Sequence, residues 1–322
     1  MTRVAQISDG AEPRLLVVIG GPRTGSSALG QLLNAHRGVD YYGEIFNPNA
    51  LLDQHPVRRR LIEQLTGSNQ GTSRNVRWRD ICEKSPLSVV EKMFETSRDD
   101  GRSVVLFKLF DRHLDWRFWH DLMRLYRPVV LTIHREPIDA FISLKKARMT
   151  RAWQAVDTTD LKPTLSVKEF LRWREAQQDF YQIAHWIVRR SGVPAHSEIS
   201  YQDLFASDRN PHDVLMNRLA SSGLEFGERI EAEPRASRQD KALSRAEKVA
   251  NWADFEAELK KRDLQDTLYA YDLEGTPAAV AAKYYLARAL PAPVRDWRVH
   301  LGRVKRNLTN SRTMRHLMEK KS

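Results

Sequence analysis

The segment from Gly20 to Ser27 carries the residue types of a loop that binds an anion. Aligned to the phosphate-binding pattern of glycine, four residues, glycine, lysine and serine or threonine, the sequence GGPRTGSS supplies Gly20, Gly25 and Ser27. Ser26, however, stands at the position of the lysine. Backbone N–H groups in such a turn, followed by a helix N-terminus, bind phosphate and sulfate alike. We therefore predict an anion site that lacks the lysine used for a magnesium-bound triphosphate.

A second cation stands where a triphosphate enzyme would place a magnesium-binding acid. The apolar run PVVLTIH is followed by Arg135, which is a poor ligand for magnesium but a good clamp for an anion. Ser143 comes seven residues after Glu136, about two helical turns, so it can face the same side as the helix start. The alternatives are an ion pair of Arg135 with Glu136 or Asp139, and a solvent-facing Ser143 hydroxyl. A ligand with two separate anionic groups, bound without a metal, would explain both the missing lysine and the missing acid.

Apolar runs predict the elements that would position these residues. LLVVIG, residues 15–20, is uninterrupted, as expected of a parallel strand buried on both faces. The glycine loop follows it, and SALGQLLNA then has apolar residues at helical spacing. Further strands are predicted at residues 103–110, 128–134 and 196–201. Strands that alternate with helices predict a P-loop-containing, three-layer α/β/α fold with a mainly parallel central sheet.

The other segments are interpreted as coverings and helical insertions around this sheet. Helices are predicted in HLDWRFWHDLMRLY, in REPIDAFISLKKARM with Pro137 in its first turn, and in SRAEKVANWADFEAELKKRDLQ, whose polar composition indicates a solvated face. Residues 149–190 carry tryptophan-rich helical patterns, whereas residues 51–100 are polar and irregular.

The basic residues are concentrated near the end of the sequence. Ten basic residues against two acidic ones place +8 of the net charge of +11 between Arg288 and Ser322, which leaves +3 for the rest. We predict a main domain over residues 14–275 and a basic amphipathic helical extension over residues 276–322. In the extension, apolar residues recur in steps of three and four at positions 294, 297, 301, 304 and 308.

The extension has two interpretations. The first is a helix that packs on its own domain or on a second subunit, which would make a homodimer. The second is contact with a membrane surface or an acidic partner. Nucleic-acid binding is not implied for the main domain, because that domain carries little net charge.

Composition excludes several classes of protein. Cys82 is the single cysteine, so a disulfide within the chain and a multi-cysteine zinc site are excluded. The first residues hold no apolar signal region, and no run approaches the roughly 18 apolar residues of a membrane span. A cytoplasmic protein is expected, peripheral at a membrane if the extension binds lipid.

Six segments in a fixed order resemble the PAPS-dependent sulfotransferases, and in particular the bacterial carbohydrate branch that includes nodulation-factor and trehalose-glycolipid sulfotransferases. They are GGPRTGSSALGQLL, YYGEIFNP, LFKLFDRH, LTIHREPIDAFISLKKA, SYQDLF and VANWADF, spread discontinuously over residues 15–258. The resemblance implies in-line transfer of a sulfuryl group from PAPS to a hydroxyl, without a metal. It also implies a sugar or glycolipid as the acceptor.

The resemblance assigns most of the donor site. The loop that would hold the 5′-phosphosulfate of the donor comprises Arg23, Thr24, Gly25, Ser26 and Ser27, with Arg23 doing the work of the absent lysine. Arg135 and Ser143 match the residues that bind the separate 3′-phosphate.

Three further donor residues are assigned less directly. Tyr201 matches a family tyrosine, here followed by Gln202 where the family has glutamate, and would line the adenosine pocket or simply pack in the core. Arg238 and Lys241 lie where the family often completes the 3′-phosphate site. The arginine-lysine-glycine signature of cytosolic small-molecule members is absent from this position.

Sulfuryl transfer to a hydroxyl needs a base near the attacking oxygen and cations where negative charge develops. The resemblance makes Glu44, in the GE segment, the first candidate for the base; its alternative is a helix cap or an ion pair with Arg37 or Lys108. His113 is the second candidate, with a purely structural histidine as the alternative. Lys108 would stabilise the leaving phosphate or extend its ammonium away from the sheet.

Two other functions compete with this one. A P-loop nucleotide kinase or NTPase-like phosphotransferase would depend on magnesium and place an acid at a strand end, where this chain has Arg135. A non-catalytic nucleotide-binding protein would have no activity to lose when Glu44 is replaced. Residues 45–100 and 149–190 are expected to build the acceptor side. There, Trp78, Trp153 and Trp173 suit sugar stacking and core packing equally.

Overall fold

A computed structural model describes residues 12–47, 56–67, 76–111, 113–150, 156–205, 208–230, 240, 242 and 244–289. Within these ranges the strands are β1 Arg14–Gly20, β2 Val39–Gly43, β3 Val104–Leu109, β4 Val129–His134 and β5 Ala195–Ser200. The helices are α1 Ser26–Asn34, α2 Pro56–Thr66, α3 Val76–Lys84, α4 Pro86–Asp99, α5 Trp116–Tyr126, α6 Pro137–Thr150, α7 Val167–Arg190, α8 Tyr201–Phe205, α9 Pro211–Leu219, α10 Arg245–Lys248, α11 Trp252–Lys261 and α12 Pro277–Ala289. Two short 3₁₀ helices lie at Ala220–Ser222 and Gln265–Leu268.

The strands form one parallel sheet in the order β2-β3-β1-β4-β5. Strand β1 is central because its residues are apolar on both faces, and Leu16 to Ile19 are fully buried. Alternate residues point to opposite faces, so Val17 joins one apolar core while Val18 joins the core on the other side. The α/β fold with helices on both faces is confirmed, and the four predicted strands are found to within one residue at each end.

Strand β2 was not predicted from the sequence. Its sequence, VDYYG, includes a carboxylate and ends in glycine, so it lacks the continuous apolar run of a buried parallel strand. The structure buries Asp40 and satisfies it with the Ser97 hydroxyl, whose Oγ donates at 2.7 Å. Tertiary partners from helix α4 therefore allow a polar residue in a strand at the sheet edge.

The segment of residues 51–100 is helical, and the expectation of an irregular segment is wrong for the residues that the structure describes. Helices α2, α3 and α4 lie here, and each carries a narrow apolar stripe on an otherwise charged surface. Residues such as Leu61, Val90 and Met93 face the sheet and join the core of β1. The high proportion of charged residues obscures this periodicity.

Other helices follow the sequence closely. Helix α6 begins at Pro137 as predicted, and α5 begins after Asp115, whose carboxylate accepts hydrogen bonds from two first-turn N–H groups. The long polar segment near residue 250 divides into α10 and α11, and Phe255 of α11 is buried against α6 and α7, so its solvated character is only partial.

Helix α12 packs on α7 through the ring contact of Tyr284 with Trp186, at 4.7 Å between centroids. The apolar positions 294 to 308 of the predicted basic helix lie outside the described residues. Among the described helices, none combines the length and the apolar composition needed to cross a bilayer.

Candidate active site

The glycine loop lies at the carboxyl edge of the sheet, between central strand β1 and helix α1. Because β1 has β3 on one side and β4 on the other, this edge is the switch point where open α/β sheets bind ligands. Gly25 has a φ of 87°, and a Cβ there would come within 2.7 Å of the Tyr201 ring. Arg23 also adopts a left-handed φ, 67°, which is uncommon for a residue with a side chain. The loop conformation is therefore fixed by close contacts rather than by sequence preference alone.

A buried tyrosine of helix α7 braces this loop. The Tyr181 hydroxyl accepts a hydrogen bond from the Gly21 N–H at 2.9 Å and donates to the Ile133 carbonyl at 3.0 Å. Within the loop, the Thr24 hydroxyl donates to the Gly21 carbonyl at 2.9 Å. Tyr181 thus ties the loop to the end of β4. Thr24, assigned to the donor, also holds the turn together.

Four residues that the resemblance assigns to the donor, Arg23, Arg135, Ser143 and Tyr201, lie together, and we call this group the arginine side. The Arg23 Nε donates to the Ser143 hydroxyl at 3.0 Å, although the two residues were assigned to different anionic groups. The Arg135 guanidinium lies over the Tyr201 ring, 4.1 Å from its centroid, and its Nη1 donates to the Arg23 carbonyl at 3.3 Å. Loop, strand end and two helices therefore converge on one small area.

The charges of the arginine side are suited to an anion. Burial and the nearby guanidinium of Arg135 lower the pKa of Arg23, because both disfavour a further positive charge at this place. The Arg135 Nε is buried and has no hydrogen-bond partner among the described residues. Glu136 and Asp139 do not pair with Arg135, because Arg245 pairs with both of them. The ion-pair alternative for Arg135 is therefore wrong.

On the other side of the loop, Ser27, Glu44, Lys108 and His113 form a second group, which we call the carboxylate side. The Lys108 ammonium donates to the Ser27 hydroxyl at 3.0 Å and to Glu44 Oε1 at 3.1 Å. Glu44 Oε2 lies 3.8 Å from His113 Nε2. Lys108 is only 3% exposed, whereas Glu44 retains 23% exposure. Among Glu44, Lys108 and His113, the carboxylate is therefore the group that solvent or a substrate can reach most easily.

Backbone geometry explains how Glu44 reaches this place. Gly43 ends β2 with a φ of 59°, where the register with β3 shifts, and the chain turns there at the carboxyl edge. Lys108 lies on the face of β3 that points to α1, so its long side chain extends to Ser27 at the start of that helix. Asn47, which the sequence did not single out, donates to Glu44 Oε2 at 2.7 Å and orients the carboxylate.

The surroundings keep Glu44 ionised. Burial by itself would raise the pKa of Glu44, but Lys108, His113 and Asn47 together outweigh burial and hold this pKa below 4.5. The pairing with Lys108, expected as an alternative to catalysis, is thus present and keeps the carboxylate ready to accept a proton. No ion pair with Arg37 contributes among the described contacts of Glu44.

His113 is neutral at physiological pH. Burial lowers the pKa of His113 to about 4, against the opposing effect of Glu44. Its Nδ1 accepts a hydrogen bond from the Phe110 N–H at 3.3 Å, so the single ring proton belongs on Nε2, the nitrogen that faces Glu44. In this tautomer His113 donates toward the carboxylate and has no lone pair directed at the same space.

Three positions that were named from the sequence are not among the residues that the structure describes. Arg238 and Lys241 lie outside the described residues, while Asp240 between them pairs with buried Lys146 of α6 at 2.8 Å. Trp153 is also outside the described residues. Two other tryptophans, at positions 78 and 173, are buried in the apolar cores, so core packing rather than sugar stacking accounts for them.

The described residues fit a donor with two anionic groups. No side chain of the described residues caps the amino end of α1, and its first turn holds no acidic residue, so its N–H groups favour an anion. The buried Nε of Arg135 has no hydrogen-bond partner among the described residues, and the guanidinium of Arg23 lies nearby, so the place favours a negative ligand. These features suit a phosphosulfate at the loop and a phosphate at the arginine side.

Comparison with known proteins gives a family. A family model described as the sulfotransferase family matches residues 13–226, more than half of the chain. The sulfotransferase domain of the olefin synthase from Synechococcus PCC 7002 is similar at 14% sequence identity and a TM-score of 0.40, with 90% of this chain and 92% of that one covered. At that level of likeness it carries no inference about the acceptor. None of the curated proteins matches the sequence.

Proposed function

The chain belongs to the sulfotransferase family, whose sulfuryl donor is PAPS, and we propose that it sulfates a hydroxyl of a carbohydrate or glycolipid with Glu44 as the base. The observation that carries this proposal is the position of Lys108, which bridges the donor loop at Ser27 and the carboxylate of Glu44. A cation between an anion-binding loop and an ionised carboxylate is what transfer of an anionic group to a hydroxyl requires.

In the proposed reaction, the acceptor oxygen bonds to sulfur while the bond from sulfur to the bridging phosphate oxygen breaks. The hydroxyl proton passes to Glu44, and adenosine 3′,5′-bisphosphate leaves. Lys108 lies next to the loop and would offset the charge that develops on the leaving phosphate. Ser27 and the N-terminal N–H groups of α1 would hold that phosphate in place.

Two properties favour Glu44 over His113 as the base. Glu44 is ionised and partly exposed, so it can accept a proton from a substrate. His113 is buried and directs its Nε2 proton toward Glu44, so its role in this proposal is to orient the carboxylate. Glu44 is thus the proposed base because it carries no proton before the acceptor binds, whereas the Nε2 of His113 does.

The arginine side would bind the 3′-phosphate of the donor. Arg135 and Ser143 are held at the edge of the loop, and Tyr201 lies against Arg135, which suits an adenosine next to the phosphate. Arg23 contacts Ser143 directly, so we propose that it lies between the two anionic groups and serves both. Magnesium is not needed in this scheme, because Arg23, Arg135 and Lys108 supply the positive charge.

The sugar acceptor rests on the resemblance of the YYGEIFNP segment to the carbohydrate branch, in which a glutamate of a similar GE segment acts as base. The kinase alternative is disfavoured because Arg135, rather than an acid, follows strand β4. The basic extension after residue 275 would dock the enzyme on a membrane if the acceptor is a glycolipid.

A transfer assay tests this function. The untagged protein is incubated with PAPS radiolabelled in the sulfuryl group, in excess EDTA, with a free disaccharide, a glycolipid in detergent and a simple phenol as separate acceptors. Label on the disaccharide or glycolipid in EDTA supports the proposal. Label on the phenol alone contradicts the acceptor class, and transfer only after magnesium is restored contradicts the metal-independent scheme.

A further inference from the structure

A cluster of histidines and a glutamate lies between helix α7 and edge strand β5, away from the residues of the candidate active site. His196 and Glu198 are two residues apart on β5, so both side chains face α7. His185 of α7 points to the same place, and one ligand atom from each of the three residues lies within 4.8 Å of the other two. In the sheet, Glu198 lies opposite Thr132 in the middle of β4. Arg135, which belongs to the candidate active site, follows the end of that strand, so the two places are separate.

His185 is the unusual member of this cluster. It is 1% exposed, and neither Nδ1 nor Nε2 has a hydrogen-bond partner among the described residues. Its Nδ1 lies 3.6 Å from Glu198 Oε1, too far for a hydrogen bond but directed at it. Burying an imidazole without partners is unfavourable, so its position calls for a ligand.

The second histidine is already oriented by its neighbour. His196 Nε2 is hydrogen-bonded to the Thr132 hydroxyl at 3.0 Å, which fixes the ring and leaves Nδ1 for another partner. A ligating histidine commonly uses its other nitrogen in this way. The rings of His185 and His196 lie edge to face at 4.9 Å, so both can direct a nitrogen to a shared point without stacking.

We propose that His185, His196 and Glu198 bind a divalent transition-metal ion of the zinc class, with a solvent molecule as fourth ligand. Two imidazoles and one carboxylate suit zinc and its neighbours, whereas magnesium and calcium prefer oxygen ligands. The side chain of Glu198 is 41% exposed, so an ion can enter from solvent. The nearby cation Arg189 is paired with Glu274 at 3.0 Å, which reduces its repulsion of a metal.

The proposed metal would be structural. It would join edge strand β5 to helix α7, and Tyr181, which braces the donor loop, lies one helical turn before His185 on α7. The ion would therefore stabilise the support of the loop without contacting the reacting groups. This inference does not depend on the acceptor or on Glu44 as base.

Calorimetric titration tests the site with the full, untagged chain, stripped of metal with EDTA and then freed of EDTA. Zinc chloride should bind with one ion per chain at micromolar affinity or tighter, and the Tm should rise with zinc concentration. Cobalt should give the visible absorption of a four-coordinate ion, whereas magnesium should not compete.

Two variants and one control make the test specific. Glu198→Gln, at a half-exposed position, and His185→Leu, similar in volume, should each weaken zinc binding by about tenfold or more. His120→Asn, on the exposed face of helix α5, should leave binding unchanged. His185→Leu should also keep or raise the Tm of the metal-free protein, since an unpartnered ring is removed. No saturable zinc binding by the parent, or equal binding by Glu198→Gln, would overturn the proposal.

Discussion

The arginine side and the carboxylate side adjoin the same loop but hold their charges differently. On the carboxylate side, Lys108 and Glu44 compensate each other at 3.1 Å, and the group is close to neutral. On the arginine side, the described partners of the two guanidinium groups are a hydroxyl, a carbonyl and an aromatic ring. The first arrangement is an ion pair, whereas the second brings two guanidinium groups close together.

This difference separates binding from chemistry. Two neighbouring guanidinium groups stabilise an anionic ligand in every state of the reaction, so the loss of one should weaken donor binding. An ionised carboxylate beside an ammonium adds little to the affinity for an anion but can take a proton in the transition state. Substitutions on the two sides should therefore affect different kinetic parameters.

The largest effect is expected from Glu44→Gln. The amide keeps the shape of the side chain but cannot accept the proton, so kcat should fall about 10³-fold. The affinity for adenosine 3′,5′-bisphosphate, measured by calorimetry, should stay within about threefold of the parent, since the pair with Lys108 contributes little to donor binding. Glu91→Gln, exposed on helix α4, is the matched control and should leave both quantities unchanged.

Arg135→Ala should produce the next largest effect, on the other side. Loss of a guanidinium that bonds a phosphate should weaken binding of adenosine 3′,5′-bisphosphate about 50-fold. Binding of adenosine 5′-monophosphate, which lacks the 3′-phosphate, should change much less. An equal loss for both nucleotides in the calorimeter would show that Arg135 does not recognise the 3′-phosphate.

His113→Gln should lower kcat by less than about tenfold, because the histidine orients the base rather than acting as the base. The same variant should also change how the stability of the protein depends on pH. His113 has a folded pKa of about 4, below its unfolded value of 6.5, so the unfolded chain takes up the proton first and stability falls as pH drops from 6.5 toward 4.

Denaturant titrations across this pH window measure how the free energy of unfolding depends on pH. The free energy of unfolding of His113→Gln should decline less steeply than that of the parent between pH 6.5 and 5, where Glu44 is still ionised in both proteins. Identical slopes would mean that His113 is not held neutral by burial.

The smallest effect is expected from Ser143→Ala. The Ser143 hydroxyl accepts one hydrogen bond from Arg23 and would offer one to the 3′-phosphate. Its loss should raise the KM for PAPS about fivefold, with kcat unchanged, as for a single exposed hydrogen bond. A large fall in kcat at saturating PAPS would instead give Ser143 a part in the chemistry.

Sequence patterns found the elements whose burial is uniform. Strands β1, β3 and β4 are mainly apolar along their length because both of their faces are covered. Strand β2 was not predicted, because its buried Asp40 depends on Ser97, which is more than fifty residues away. Helices α2 to α4 were not predicted either, because their narrow apolar stripes lie among many charged residues.

In the candidate site, residue types were more predictable than contacts. Glu44, Lys108 and Ser27 could be named from separate segments, but the hydrogen bonds that join them depend on the turn at Gly43 and on strand register. Tyr181 could not be found, since in sequence it is one more aromatic residue in the apolar stripe of α7. Only the structure reveals that its hydroxyl joins the loop to β4.

The most direct test of the division between the two sides is single-turnover transfer measured against PAPS concentration, for the parent, Glu44→Gln and Arg135→Ala. We predict that Arg135→Ala approaches the parent rate once PAPS is saturating, whereas Glu44→Gln stays slow at every concentration. A Glu44→Gln enzyme that recovers at high PAPS, or an Arg135→Ala enzyme that remains slow at saturation, would contradict the account.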